Sequence, residues 1–336
     1  MEIVQAKITE KDEIINFIKK NWKENHIFVL DKDFFDFYYK DDKYYNIFLA
    51  KEEGKIKAIL GYIKYSNNAK NVFLALWKSI DNSMSGIMCL EKLKKLYKIN
   101  CCGINKKTIP IYKYLGIETG RLKHFYKLNF KVKEYKIAKI SQLDEIKSKK
   151  YTFYEKEKLE ILTNTITNEI YDSIPKDENI FFKSYKYFKK IYLNNPYYNY
   201  IVLGLKSKNL EIKTIVVLRE IEVNNKKCIR IIDIIGKEEL LPILNNYIEE
   251  KFIDEMYEYI DLYEIGLNEK VLETMGFLER KEDDLNIIPN YFEPFEQKNI
   301  EIYYASSTNG SYRIFKGDGD QDRPSVLKSK EKKIEK

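Results

Sequence analysis

The sequence predicts an α/β protein of the α+β kind, built as two tandem domains in which short strands and hairpins alternate with helices. Three observations predict it. The length of 336 residues divides most simply in two, since a domain commonly takes roughly 100 to 200 residues. Apolar runs of period two alternate with runs of helical period. The order of those runs in residues 1–130 returns, with different residues, in the second half.

In the first half, residues 3–8 read as a strand. Thr9 can cap the helix that follows, whose apolar face is Ile14, Ile15, Phe17, Ile18 and Trp22. Residues 45–50 and 56–65 form a hairpin turned at Gly54, and residues 71–78 are apolar enough for a strand buried on both faces. After the polar stretch SIDNSMSG come a helix over 87–97, a strand KINCCGI, a helix around Tyr112 and a last strand HFYKLNF. The boundary is placed near Phe130, giving a first domain of residues 1–130.

The second domain, residues 131–304, opens with a polar, Lys-rich stretch. A hairpin over 198–205 and 212–220, an apolar strand over 228–235, an amphipathic helix over 238–252, a strand over 259–265 and a helix ending at Phe277 then repeat the earlier order. Residues 305–327 change to Ser, Thr, Asn, Gly and Asp, a polar tail that is either a solvated turn or folded against a cleft. The Lys- and Glu-rich residues 328–336 read as disordered.

Composition excludes several classes. A hydrophobic fraction of 44% rules out wholesale disorder, and 59 Lys and Arg against 52 Asp and Glu, net +7, is too balanced and too interspersed for a polyanion-binding surface. No nucleic acid partner is expected. The longest apolar runs, 72–77 and 214–218, fall far short of the ~20 residues a membrane helix needs, so no membrane insertion is expected. The N-terminus lacks the zones of a signal peptide, and the four cysteines have neither zinc nor redox spacing; they read as small buried hydrophobes in the cytoplasm. No metal site is expected.

The segment from Asn105 to Ile117 carries the most information. Asn105 is followed seven residues later by Tyr112, then by Leu115 and Gly116, between a strand before and a strand after. This pattern resembles motif B of the GNAT (Gcn5-related N-acyltransferase) superfamily. The resemblance implies two tandem GNAT-like domains, each a mixed, mostly antiparallel sheet flanked by helices. It implies an acyl-CoA co-substrate, acetyl-CoA or another, lying between two splayed strands with its pyrophosphate on the helix that follows the first of them. The residues this places at the acyl-CoA are Trp77, Lys78, Ser79, Ser83, Ser85, Gly86, Ile87 and Asn105. Tyr112 would attend the leaving sulfur; without the resemblance it reads as one half-buried helix aromatic among 28 tyrosines. The loop DNSMSG keeps only Gly86 of the family's small-residue pattern, with Met84 at the other place, and a plain helix cap is its other reading.

In the second half NEKVLETMGF has the same outline, with Gly276 and Phe277 in place but Leu272 where Tyr112 stands. Leu has no proton to give, so acyl transfer is assigned to the first half and recognition or structure to the second. The organisation resembles GNAT-type proteins of bacterial surface-polysaccharide synthesis, which implies a small amine acceptor such as a nucleotide-linked amino sugar. Two other readings stay open: a Fem-type transferase using aminoacyl-tRNA, and an inactive binding protein.

Other residues weigh in. Asp233, a carboxylate inside an apolar strand, either reaches the acceptor as a second catalytic group or pairs with Arg230 or Arg219. The segment IIPNYFEPF is either a hydrophobic cover or a wall for a sugar or base ring. His26 could face the acceptor, and His124 reads as a structural imidazole. DGDQD lacks the Gly and Glu of a calcium loop.

Overall fold

The computed structural model describes residues 1–66, 70–80, 84–141, 158–176, 181–308, 310 and 312–327. The chain forms two compact units, and neither is continuous in sequence. The first takes Met1–Gly120, Ile302–Tyr312 and the segment from Gly317; the second takes Arg121–Glu301 and Arg313–Lys316. The division after Gly120 replaces the boundary expected near Phe130.

The first unit is built on β1 (Glu2–Lys7), α1 (Lys11–Asn21), α2 (Ile27–Leu30), α3 (Lys32–Tyr39), β2 (Lys40–Asp41), β3 (Tyr44–Glu52), β4 (Lys55–Lys64), β5 (Asn71–Ser79), α4 (Ser85–Leu96), β6 (Lys98–Ile104), α5 (Ile109–Tyr114) and β7 (Glu118–Arg121). Its sheet runs β1, β3, β4, β5, β6, then Tyr303–Ser306, then β7. β1–β3, β3–β4, β4–β5 and β6 with Tyr303–Ser306 pair antiparallel, whereas β5 and β6 are parallel, and α4 connects them as a parallel pair requires. Thr9 lies within a 3-10 turn, and Glu10 rather than Thr9 precedes α1. The aromatic helix α3, capped by Asp31 through the N–H groups of Asp33 and Phe34, was not assigned from the sequence.

The second unit has β8 (Lys123–Leu128), β9 (Leu159–Ile161), α6 (Asn168–Asp172), α7 (Tyr185–Phe188), β10 (Ile201–Lys206), β11 (Ile212–Val223), β12 (Lys226–Gly236), α8 (Asn245–Lys251), β13 (Tyr257–Ile265), α9 (Glu269–Thr274) and β14 (Leu278–Glu279). The sheet order is β14, β8, β13, β12, β11, β10, β9, with Ile314–Phe315 added beside β13. Again one adjacent pair, β12 with β13, is parallel. The helix expected over 238–252 begins as 3-10 turns, Glu238–Leu244, because Pro242 offers no N–H to an α-helical ladder. The segment IIPNYFEPF folds as a small hairpin, Tyr291–Phe292 on Phe295–Glu296, against a core cluster of this unit, with Arg230 over the Phe292 ring.

The strand HFYKLNF corrects the expected first domain. As β8 it lies in the second sheet, between β13 and β14. The corresponding place beside β6 in the first sheet is taken by Tyr303–Ser306. Each sheet thus receives that strand from the other half of the sequence. Hydrophobic period alone cannot reveal the exchange, because a strand buried on either sheet reads the same. The expected disorder of residues 328–336 lies outside the described residues.

Candidate active site

In the first unit β5 and β6 are paired only at Asn71–Lys98, Val72–Ile99 and Phe73–Asn100. Beyond Phe73 they part. β5 stays bonded to β4 as far as Ser79, and β6 stays bonded to Tyr303–Ser306, so each keeps its outer neighbour while the facing edges open. Between those edges lies a cavity of about 640 Å³. The β4–β5 register shifts where Gly61 meets Leu76 and Tyr62 meets Leu74, leaving Ala75 as a bulge on the cavity wall. Bulges re-aim a strand's backbone groups and recur beside active sites.

Tyr112, Trp77, Lys78, Ser79, Gly86, Ile87 and Asn105 all line this cavity. Asn105 accepts from the Lys107 N–H at 2.9 Å and starts a 3-10 turn that leads into α5. α5 ends in a Schellman cap: the Ile117 N–H reaches the Tyr112 carbonyl at 2.9 Å and the Gly116 N–H that of Lys113 at 2.9 Å, with Gly116 at φ 66°. The Leu-Gly of the motif is therefore a helix stop, and it fixes Tyr112 a set distance before it. The phenol is buried against the Cys101 thiol, to which it is hydrogen-bonded, and the Trp77 ring. Burial, then the Cys101 neighbour, raises its pKa well above the ordinary phenol. It stays protonated and can donate. Burial likewise pushes the Cys101 thiol up to about 12.

The N-terminus of α4, where a helix leaves N–H groups without intrahelical partners, meets the cavity at Gly86 and Ile87. A Cβ on Gly86 would come within 2.9 Å of Trp77 Nε1 and 3.2 Å of Ser79 Cβ, so glycine permits this close approach to β5. Trp77 Nε1 donates to the Gly86 carbonyl at 3.1 Å, tying strand to helix. Among the described residues, Lys78, Lys107 and Arg323 line the cavity against one carboxylate, Asp320, which suits an anionic ligand. Ser85 is fully buried and absent from the cavity lining, and Ser83 lies outside the described residues.

Asp233 lies elsewhere. It does not line this cavity. It is fully buried in the second unit, where Lys183 Nζ reaches both its oxygens at 2.7 Å and Tyr192 Oη donates at 2.7 Å. Arg230, one of the partners expected for it, is engaged elsewhere, held by Asp261 at 2.8 and 2.5 Å. His124 lies between Asp261 and Arg280, stacked on Tyr263 at 3.9 Å, and burial lowers its pKa to about 4. His26 accepts from the Phe28 N–H at 3.2 Å and caps α2; burial, then Arg323, lowers it to about 3, so it is no base at neutral pH. Sequence reasoning missed Trp22, Ala75 and Arg323 as lining residues and left Asp320 and Gln321 open between turn and cleft.

The second unit repeats the layout with a different outcome. Asn268 caps α9, and Phe277 and Gly276 close it with the same pair of bonds, to Leu272 at 3.1 Å and Glu273 at 3.0 Å. β12 and β13 also pair only in part, from Lys227–Tyr257 to Ile231–Leu262. Beyond that point Ile314 and Phe315 pair with Ile265 and Glu264, Phe315 joins the core, and Arg313 donates to the Gly236 carbonyl at 3.2 Å. The chain's own backbone fills this opening.

No family model matches the sequence, and no curated protein matches it. Solved structures do. A protein of Enterococcus faecalis V583 described as a probable N-acyltransferase aligns with TM-score 0.53 at 9% identity, over 83% of this chain and 69% of its own. A GCN5-related N-acetyltransferase from Anabaena variabilis gives 0.51 at 8%, over 90% and 72%. Eis1 from Mycobacterium abscessus gives 0.50 at 8%, over 84% and 71%. At such identity the likeness speaks for fold. With the two partly parted sheets and two helix-stop motifs described above, it leads to one statement: this chain has the GNAT fold, in two tandem units.

Proposed function

We propose that the chain is an acyl-CoA-dependent N-acyltransferase, with its transfer site in the first unit and a small amine as acceptor. The observation that carries this is the opening between β5 and β6, empty of the chain's own strand, with Tyr112 and the start of α4 on its walls. The strand edges that cease to pair with each other beyond Phe73 suit the amides of a pantetheine arm, and α4 suits its pyrophosphate. The bulge at Ala75 re-aims backbone N–H groups that can polarise the thioester carbonyl. Tyr112 donates a hydrogen bond to the departing sulfur; a phenol raised by burial is too weak an acid to transfer its proton fully to a thiolate. In the second unit Leu272 supplies no proton donor and the inserted Phe315 leaves a cavity of only about 70 Å³, which supports a structural or recognition role there.

For the acceptor we favour an amino sugar of surface-polysaccharide synthesis, as the sequence resemblance implies. Trp22, partly exposed on the cavity, supplies a ring face for a sugar. Acetyl-CoA is the first acyl donor to try. Hydrogen exchange on the full chain tests the assignment: acetyl-CoA should protect the backbone of residues 74–79, 86–87 and 101–104. Protection confined to residues 228–245 would move the site to the second unit. Stabilisation by total tRNA and not by acyl-CoA would favour the Fem-type reading, and acyl-CoA binding without turnover on any amine the inactive one.

A further inference from the structure

The C-terminal segment leaves the first unit after Tyr312, spends Arg313–Lys316 in the second, and re-enters the first at Gly317. Its sequence on return is GDGDQDR, and Asp318, Asp320 and Asp322 are all buried. Burying like charges on so short a segment is costly unless each is compensated. Tyr65 Oη donates to Asp318 at 2.9 Å. Asp320 Oδ2 accepts from Tyr39 Oη at 3.2 Å and Arg323 Nε at 3.0 Å.

Two glycines set where the segment lies. Gly319, at φ 68°, has no room for a Cβ because the Phe73 ring stands there. Phe73 is the last β5 residue paired with β6. Gly103 on β6, at φ 75°, has no room for one because the Gln321 side chain stands there. Residues 319 and 321 thus abut one parting strand each, and Asp320 between them lines the cavity that Tyr112 also lines.

We propose that Asp320 is the carboxylate that takes the proton from the acceptor amine, with Tyr39 and Arg323 as its positioning residues; this rests on the acyltransferase reading above. An ammonium acceptor gives one proton to the Asp320 carboxylate. The freed lone pair attacks the thioester carbon, the C–N bond forms, and the C–S bond breaks with its electron pair going to sulfur. The nitrogen's second proton ends on that sulfur, giving amide and thiol, and Asp320 returns its proton to water. Burial raises the Asp320 carboxyl, while Arg323 and the Tyr39 hydrogen bond pull it back, which brings a base toward working pH. On its own segment the titratable and charged groups are Asp318, Asp322 and Arg323; Tyr39 on α3 bonds to it, Tyr38 and His26 are electrostatic neighbours of Arg323, and Tyr112, Cys101, Cys102, Lys78 and Lys107 line the same cavity.

The test uses the full chain, acetyl-CoA, and glucosamine and spermidine as amine probes, following thiol release from pH 5.5 to 9.5. Asp320→Asn should lower kcat ~100-fold, the scale of a general base, with acetyl-CoA Kd little changed and part of the rate regained as pH rises and free amine accumulates. Because that variant could release the segment, Tyr39→Phe is the second: loss of a donor to the carboxylate raises its pKa, so the acid limb of the pH profile should move to higher pH with the plateau within several-fold. A pure tether predicts lower melting temperatures for both variants and an unmoved acid limb, and that result overturns the proposal. So does wild-type kcat in Asp320→Asn while acetyl-CoA still binds. Failure of the wild-type protein to bind acetyl-CoA overturns the acyltransferase reading together with this role.

Discussion

Trp77 stands edge-on to Tyr112, ring centroids 5.6 Å apart and planes at 73°, so that one strand residue and one helix residue close the wall of the parted sheet. The pairing explains how a phenol can be both buried and directed: the ring is packed, and its hydroxyl meets Cys101. Tyr112→Phe should keep that packing and lose one hydrogen bond, about 1 kcal/mol of stability. Turnover should fall ~100-fold with acyl-CoA affinity nearly unchanged. Single-turnover kinetics beside a binding titration checks this, and unchanged turnover in the folded variant removes Tyr112 from the mechanism.

Gly86→Ala probes the other wall. The new Cβ would crowd Trp77 Nε1 and Ser79, and overpacking of this sort costs roughly 1–3 kcal/mol. Since the strain falls where α4 meets the cavity, acetyl-CoA Kd should rise at least ~10-fold, together with a shift in Trp77 fluorescence. A Kd that does not move would separate α4 from the acyl-CoA site.

Asp233→Asn should act on stability alone. It leaves Lys183 as a buried cation with its carboxylate gone, a change that costs about 3–5 kcal/mol. Chemical denaturation should show that loss while acetyl-CoA Kd, measured on folded protein, stays put. A variant of wild-type stability with lost turnover would restore the catalytic role first read from the sequence.

Acid should weaken the fold through His124. Its folded pKa, about 4, is depressed by burial from the ordinary 6.5, so the unfolded chain binds more protons between those values. The stabilisation is complete above pH 6.5 and is lost as pH falls toward 4, about 3 kcal/mol over that window. His26, lowered to about 3, contributes with the same sign. Urea unfolding at half-unit steps should show the slope, and His124→Gln, which keeps one donor and one acceptor, should flatten it.

Residues 1–130 alone should not fold cooperatively. That fragment holds β8 without its partners β13 and β14 and lacks Tyr303–Ser306 beside β6. Circular dichroism on heating should show a broad, non-cooperative change; a sharp transition would mean that the returning strand and tail are dispensable.

By itself the sequence determined what is local. The hairpins, the β5–α4–β6 unit and the Asn105 to Gly116 motif were legible because their bonds span a few residues, as the Schellman cap at Gly116 does. What tertiary structure decided is what joins distant residues. Asp233 and Lys183 are 50 apart in sequence, and no period or spacing pairs them. Tyr39 and Asp320 are 281 apart, so a carboxylate in a polar tail gave no sign of which side chains would hold it. The exchange of β8 and Tyr303–Ser306, and the insertion of Ile314–Phe315 beside β13, rest on which sheet edge each strand meets in space. Backbone hydrogen bonding is the same along any open edge, so only the packed structure chooses among them.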